Sequence, residues 1–183
     1  HLSQKGLTVT LIEKSSYPRH KVCGEYVSNE ILPYLHWLKA DISKLLPVTI
    51  NKFEFTTRKG KTASANLPLG GFGISRYQLD NFLYQKAVTN GCNIIMEMVT
   101  DISFDNDLFT ITTANQVLSA KIVLGAFGKR SNIDQLLSRD FFVKKSPWLA
   151  VKAHYYGDFA NDVVALHNFK VGYCGVFKVE NDI

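Results

Sequence analysis

The sequence predicts an α/β fold that leads into a second, β-rich part. Three observations predict it: a nearly continuous apolar strand pattern over Leu7–Glu13, a helix pattern opened by Ser75, and consecutive strand patterns in the C-terminal part. We therefore divide the chain into an α/β domain over residues 1–140, with an inserted β-hairpin near residues 48–67, and the start of a β-rich domain over residues 141–183.

The N-terminal elements follow one another closely. Gly6 is expected to end a helix, because glycine readily adopts the left-handed conformation that closes helices. The apolar run Leu7–Glu13 predicts a strand buried on both faces. Ser28 is expected to cap a short helix. Alternation over Val48–Arg58, before a turn at Gly60, predicts the first strand of the hairpin.

The next elements are predicted by periodicity and by turn residues. Ser75 is expected to open the clearest helix of the chain, which Asn90-Gly91 would end. Its predicted apolar face consists of Leu79, Phe82, Leu83 and Ala87, which recur at helical spacing. Three strands are predicted between Cys92 and Leu124. The β-rich part is predicted from the segments WLAVKAHYY, VVALHNF and GYCGVFKV.

Composition excludes several classes of protein. With 183 residues, 46% of them hydrophobic, the chain is expected to fold around its own core. Its apolar runs are too short to cross a bilayer, and no secretory signal pattern is visible. Three cysteines without a C-x-x-C pair favour neither a disulfide framework nor a zinc site, so a reducing cytoplasm is expected.

Charge is unevenly distributed along the chain. Residues 1–61 hold ten Lys and Arg against five Asp and Glu, whereas residues 62–183 hold eleven of each. The excess favours either an anionic ligand near the N-terminal part or an ordinary solvated surface. The basic residues form no stripe with aromatics, so no nucleic-acid binding is predicted, whereas the basic balance permits peripheral membrane contact. The histidines show no metal-ligand spacing, and we expect no metal site.

Glu13 ends the apolar strand pattern and is the first candidate site residue. A strand that ends in an acid, after the tail of a helix, is typical of the second strand of a βαβ dinucleotide-binding unit. A carboxylate there accepts hydrogen bonds from vicinal ribose hydroxyls. Many surface strands also finish in Glu, so this feature alone is weak evidence.

Three segments together carry a resemblance: SSYPRHKVCGEYVS, GISRYQLDNFLYQKA and IVLGAFGKRSNID. Their order and spacing resemble those of the FAD-dependent oxidoreductases of the geranylgeranyl reductase and aromatic-hydroxylase-like flavin monooxygenase superfamily. The resemblance rests on a P-x-x-K-x-C-G loop after the ribose acid and on a helix that opens with Arg76 and carries Asp80. It implies a partial FAD-binding Rossmann-like domain, with a β-rich domain that forms the floor of a substrate pocket.

The resemblance implies a set of cofactor-binding positions, while catalytic residues stay unknown. Gly24 would let the main chain approach the flat ring of FAD, and Cys23 would lie close to it. Arg76 would contact the pyrophosphate or ribityl chain, or else pair only with Asp80. The full set is Glu13, Lys14, Arg19, Lys21, Cys23, Gly24, Arg76, Val99, Gly125 and Gly128.

One position departs from the pattern of the superfamily. Phe127 stands where these proteins usually have the Asp of a G-A-D-G-x-x-S segment. Without this acid, tight direct binding of NAD(P)H is not expected. NAD(P)H stays a candidate electron donor. The expected activity is saturation of an isoprenoid double bond, and the runner-up is hydroxylation or halogenation of an aromatic or apolar substrate. A different class of interpretation is a truncated chain that binds no flavin and serves as an interaction body.

Overall fold

The computed structural model describes residues 1–128, 131–143 and 146–182. The helices are α1 (Leu32–Trp37), α2 (Arg76–Thr89), α3 (Asn132–Leu136) and α4 (Asp140–Val143). The strands are β1 (Thr10–Ile12), β2 (Tyr26–Ser28), β3 (Val48–Thr56), β4 (Thr62–Gly73), β5 (Asn93–Ile95), β6 (Val99–Asp105), β7 (Leu108–Thr113), β8 (Val117–Ala120), β9 (Val163–Phe169) and β10 (Gly172–Val176). No described helix is both long and apolar enough to cross a membrane.

Two compact units share the chain, and they interleave along the sequence. The first comprises His1, Tyr17–Thr89 and the chain from Ala150 onward, and the second comprises Leu2–Ser16 and Asn90–Leu149. The predicted division at residue 141 does not coincide with these units and stays a prediction about domains.

The first unit is built on a five-stranded sheet of order β10-β9-β3-β4-β2. The predicted hairpin is present: β3 and β4 pair antiparallel around a turn in which Gly60 has a positive φ of 77°. β4 extends to Gly73, beyond the predicted end of the hairpin, because its second half pairs with both β3 and β2. Only β3 and β9 pair in parallel in this sheet.

Helix α2 lies over a small core in the first unit. The buried side chains of the cluster are Leu35, Ala40, Ile42, Phe72 and Ile74. Leu79 and Phe82 of α2 pack against this cluster. These two positions belong to the predicted apolar face, and Gly91 follows the helix with φ of 79°. The helix prediction is therefore confirmed in type and in its limits, whereas Leu83, which also belongs to the predicted apolar face, is exposed.

The second unit holds a short parallel pair and a three-stranded antiparallel sheet. β1 pairs with β5, and Gly6, at φ of 81°, closes a short 3-10 turn before β1, as predicted. The prediction that this strand is buried on both faces is wrong: Leu11 is 37% exposed. Among the described residues β1 pairs with a strand on one side only, and its apolar side chains are therefore left partly exposed.

The region between Cys92 and Leu124 contains four strands and not the predicted three. The first predicted strand is divided into β5 and β6, which belong to different sheets. The strand predicted to run to Gly125 ends at Ala120, and Ile122 is 76% exposed. A segment forms a strand only when its backbone N–H and C=O groups bind those of a neighbouring strand. No described strand pairs with residues 121–125.

The strand predicted over residues 148–156 is also wrong, whereas the two that follow it are present as β9 and β10. Leu149 is 86% exposed and Val151 is 82% exposed. β9 already has partners on both sides, β3 and β10, so it offers residues 148–156 no edge. Instead, the side chains of Lys152 and His154 hold the segment in place by hydrogen bonds with Glu25.

Candidate functional site

The loop Tyr17–Gly24 lies along helix α2 in the direction opposite to the helix. Contacts at three successive levels hold it there: Tyr17 stacks on Tyr84 at 4.9 Å between ring centroids, Lys21 Nζ lies 2.8 Å from Asp80 Oδ2, and Cys23 hydrogen-bonds with Arg76. The fold thus brings together two of the three segments on which the resemblance rests.

Arg76 and Asp80 form a two-point ion pair one helical turn apart. Arg76 Nε lies 2.7 Å from Asp80 Oδ1, and Nη2 lies 2.8 Å from Oδ2. Burial raises the pKa of Asp80, but the hydrogen bonds from Arg76 and Lys21 outweigh burial and hold this pKa below its usual value. Two cations share one carboxylate, so the trio keeps a net charge of +1.

Cys23 sits beside this trio. Burial raises the pKa of its thiol, but a hydrogen bond from the backbone N–H of Glu25 and the nearby Arg76 guanidinium outweigh burial, so the pKa of Cys23 is lowered. Arg76 therefore contacts both a carboxylate and a sulfur that it helps to ionise.

Glu25 follows the Cys23-Gly24 pair and is the centre of a second network. Its φ of 56° is left-handed, which is unusual for a residue with a Cβ, and its side chain is 3% exposed. Oε1 accepts hydrogen bonds from the backbone N–H of Arg76 and from Lys152 Nζ, each at 2.6 Å. Oε2 lies 2.7 Å from His154 Nε2.

The environment of Glu25 favours its ionised form. Burial raises the pKa of Glu25, but the hydrogen bonds from Lys152, the Arg76 backbone and His154 outweigh it, so this pKa is lowered. The partners come from residues 76, 152 and 154, which are distant in sequence. A buried carboxylate with several donors fixes the turn that carries Cys23 and Gly24.

A second buried carboxylate lies at the N-terminal end of α2. Glu180 accepts a hydrogen bond from the backbone N–H of Ser75 at 2.7 Å and another from the Ser75 hydroxyl. Together, Glu180 and Glu25 bind the N–H groups of Ser75 and Arg76, which a helix leaves without partners. The protein's own carboxylates therefore lie where a phosphate at the start of this helix was expected.

Sequence reasoning missed Glu25, Lys152 and Glu180 as site residues. A signal for Glu25 was present, since an acid directly follows the Cys23-Gly24 pair. Lys152 and His154 are two residues apart, as expected for side chains on one side of an extended segment. The alternation over residues 148–156 predicts a strand, and that prediction gives no reason to place Lys152 and His154 beside a carboxylate. No sequence signal connects Glu180 with Ser75.

Five predicted site residues lie in the second unit. Glu13 directly follows β1, and its Oε1 accepts a hydrogen bond from the backbone N–H of Ser15 at 3.1 Å. Lys14 is exposed. The carbonyl oxygen of Val99 accepts a hydrogen bond from Asn132 Nδ2 at 3.2 Å. Gly125 and Gly128 line a cavity in this unit.

Gly128 and Ser131 belong to an expected strand-to-helix turn, but residues 129–130 lie outside the described part of the chain, and the strand predicted before the turn ends at Ala120. Ser131 caps the helix, because its Oγ accepts a hydrogen bond from the backbone N–H of Ile133 at 3.1 Å. Gly128 has φ of 73°, which a residue with a side chain rarely adopts.

Each unit, taken by itself, has features that fit part of an adenine dinucleotide. In the first unit, a Cβ added at Gly24 would meet no atom within 4 Å, so a planar group has room to approach this backbone. The Arg19 guanidinium and the Lys21 ammonium lie 5.3 and 5.5 Å from the centroid of the Tyr17 ring. In the second unit, Glu13 is a carboxylate at the carboxyl end of a parallel strand.

Comparisons with known proteins agree with this fold. No known protein family profile matches the chain. An uncharacterized protein of Methanosarcina barkeri is 27% identical over 148 residues, which cover 77% of this chain and 37% of that protein. A flavoprotein/dehydrogenase from Cytophaga hutchinsonii superposes with a TM-score of 0.74 at 20% identity, over 99% of this chain and 49% of that one.

Flavin-dependent halogenases are also similar in structure. The halogenase PltM, solved with phloroglucinol and FAD, has a TM-score of 0.61 at 18% identity, over 75% of this chain and 33% of PltM. The flavin-dependent brominase Bmp2 has a TM-score of 0.52 at 20% identity, over 64% of this chain and 30% of Bmp2. The chain spans half or less of the length of these proteins. It has the α/β fold of FAD-binding flavoproteins, as the sequence predicted.

Proposed function

We propose that this chain is part of an FAD-dependent oxidoreductase. The observation that carries the proposal is the packing of the P-x-x-K-x-C-G loop on α2, which joins Lys21 and Cys23 to Asp80 and Arg76. Two segments that resemble the flavin-binding superfamily are 52 positions apart at Gly24 and Arg76, yet they form one charged cluster. The fold similarity supports the same class of protein.

Each proposed contact follows from the chemistry of one residue. Gly24 would allow the ring of FAD to approach the main chain, and the side chains of Lys21 and Arg76 would favour its phosphates, because the backbone N–H groups at the start of α2 already bind Glu25 and Glu180. Arg19 would add a further positive charge. Glu13, at the carboxyl end of β1, is proposed on the resemblance to accept hydrogen bonds from ribose hydroxyls. Lys14, Val99, Gly125 and Gly128 are proposed contacts on the resemblance alone.

Bound FAD would supply hydride transfer or oxygen activation, and this chain would bind and orient it. Glu25 would hold the Cys23-Gly24 turn in place through its bonds to Arg76, Lys152 and His154. The proposed reaction is saturation of an isoprenoid double bond. The proposed electron donor is NAD(P)H. The second candidate, hydroxylation or halogenation of an aromatic or apolar substrate, is favoured by the similarity to PltM and Bmp2.

The absorption spectrum of the purified full-length protein tests the cofactor. Two bands near roughly 370 and 450 nm, with FAD released on denaturation, are expected. The Lys21→Gln and Arg76→Gln variants are expected to hold less FAD than the wild type, whereas Lys59→Gln, on the exposed turn before β4, serves as a matched control. A protein that stays colourless after FAD is added would overturn the proposal.

Oxygen separates the two candidate reactions. A reductase is expected to turn over an isoprenoid substrate under anaerobic conditions when a chemical reductant supplies electrons. If product forms only in air and contains oxygen or halide, the proposed reductase reaction is wrong and the monooxygenase or halogenase reaction is supported.

A further inference from the structure

Two turns lie at the same end of the five-stranded sheet in the first unit. β3 and β9 run in parallel with Thr56 opposite His167, so the C-terminal ends of the two strands lie side by side. The turn over residues 57–61, which joins β3 to β4, is therefore close to the turn Lys170-Val171, which joins β9 to β10. Asn168 Nδ2 donates a hydrogen bond to the Thr56 carbonyl at 3.2 Å, which holds the two ends together.

This two-turn end of the sheet, defined as residues 55–61 and 168–173, is basic. No acidic residue occurs between residues 55 and 79 or between residues 163 and 179. The acid that precedes this end, Glu54, is only partly exposed. The exposed cations of the two-turn end are Arg58, Lys59, Lys61 and Lys170. Three of them belong to the basic excess of residues 1–61, and the proposed flavin contacts use none of the four.

Exposed apolar side chains accompany these cations. Val171 is 71% exposed and Tyr173 is 66% exposed. Phe169 is 51% exposed, and Phe55 is 38% exposed. Single apolar residues are ordinary on a protein surface, but several of them at one end of a sheet are typical of an interaction surface.

An anionic phospholipid membrane fits both the charge and the apolar side chains. Lys and Arg are attracted to anionic lipids, and their long stems keep the charge at the level of the headgroups. Apolar side chains beside them leave water for the boundary of the acyl chains. A partner that is only a polyanion, such as a nucleic acid, would use the four cations and leave Val171 in water.

Because the two turns end side by side, both can touch one plane at the same time. We propose that the two-turn end binds the surface of an anionic phospholipid membrane, with its cations at the lipid phosphates and Val171 and Phe169 inserted among the headgroups. The proposal does not depend on the proposed flavin function.

Co-sedimentation of the full-length protein with lipid vesicles tests the preference for anionic lipid. Vesicles of phosphatidylcholine are compared with vesicles that also contain phosphatidylserine. We expect binding to the anionic vesicles to be more than about tenfold tighter at low salt, and to weaken as added salt screens the charges. Equal binding to both kinds of vesicle, or binding to neither, would overturn the proposal.

Charge and insertion are tested by separate variants. The double variant Lys61→Gln, Lys170→Gln is expected to bind anionic vesicles at least about tenfold more weakly, whereas Lys39→Gln, Lys44→Gln, at two exposed lysines outside this end, is the matched control. Val171→Ser keeps every charge and is expected to weaken binding severalfold. If Val171→Ser binds as the wild type does, the surface recognises polyanions in general, and the membrane proposal is wrong.

A tryptophan at the turn reports insertion directly. In anionic vesicles, the fluorescence of Val171→Trp is expected to move to shorter wavelength and to be quenched by brominated lipid, relative to the wild type. Val117→Trp is the matched control, because Val117 is 67% exposed and lies on β8. Equal quenching of the two variants would contradict insertion of the two-turn end.

Flavin absorbance is measured on the same samples. The vesicle-binding variants are expected to hold as much FAD as the wild type, as Lys59→Gln does. Loss of vesicle binding with normal FAD content, or the reverse, therefore distinguishes the failure of this proposal from the failure of the proposed function.

Discussion

The carboxylate of Glu25 accepts a hydrogen bond from the backbone N–H of Arg76 at 2.6 Å, although the two residues are 51 positions apart. This bond connects the end of the Cys23-Gly24 turn with the start of helix α2. Lys152, 127 positions from Glu25, donates to the same carboxylate oxygen. One buried side chain thus joins three separate segments of the first unit.

Removal of the Glu25 carboxylate is expected to destabilise the protein. Glu25→Ala leaves Lys152 without its carboxylate partner and the Arg76 N–H without an acceptor, which is expected to cost about 3 kcal/mol in the free energy of unfolding. Urea denaturation measures this loss. Glu30→Ala, an exposed acid nearby, is the control and is expected to change the free energy by less than about 0.5 kcal/mol. Equal effects of the two variants would contradict the role of Glu25.

The pH dependence of stability follows from the lowered pKa values of Glu25 and Asp80. A carboxyl group with a lowered pKa in the folded state stabilises the protein fully above its unfolded pKa, about 4.3 for Glu and 3.9 for Asp. This stabilisation is lost as the pH falls through the lower, folded values. Thermal midpoints are therefore expected to fall steeply below about pH 4 in the wild type. In Glu25→Gln and Asp80→Asn, this acid-side slope is expected to be shallower, and an unchanged slope would exclude the two groups as its cause.

Cys23 is expected to react with iodoacetamide at lower pH than an ordinary thiol, because its pKa is lowered. Arg76→Gln removes the guanidinium and is expected to move the midpoint of the rate profile to higher pH. Mass spectrometry of the peptide that contains Cys23 measures the rate separately from Cys92 and Cys174. A midpoint that is the same in wild type and Arg76→Gln would refute the contribution of Arg76.

Two glycines of the first unit make a matched pair. A Cβ at Gly24 meets no atom within 4 Å, so Gly24→Ala is expected to leave the free energy of unfolding nearly unchanged while it weakens FAD binding. A Cβ at Gly73 would collide with the backbone carbonyl of Lys178, so Gly73→Ala is expected to cost more than about 1 kcal/mol. Denaturation and flavin absorbance distinguish the two effects. If Gly24→Ala binds FAD as the wild type does, the ring does not approach this glycine.

Local patterns predicted the elements whose partners lie nearby. The hairpin of β3 and β4 and helix α2 carry their own turn and cap residues, and both form as predicted. Burial of β1 and the strand at residues 148–156 were mispredicted because an apolar or alternating run needs a partner edge that its sequence does not specify. The same limit applies to residues 121–125.

The sequence by itself determined the α/β class, the P-x-x-K-x-C-G loop, the helix that opens at Arg76 and the excess of positive charge near the N-terminus, since each depends on residues close together in the chain. Only the tertiary structure decided that Glu25 and Glu180 occupy the start of α2, that Lys152 reaches Glu25, and that the β3–β4 and β9–β10 turns lie at one end of a sheet. These contacts join residues far apart in sequence. Their formation depends on the packing of whole elements, which local propensity and spacing do not specify.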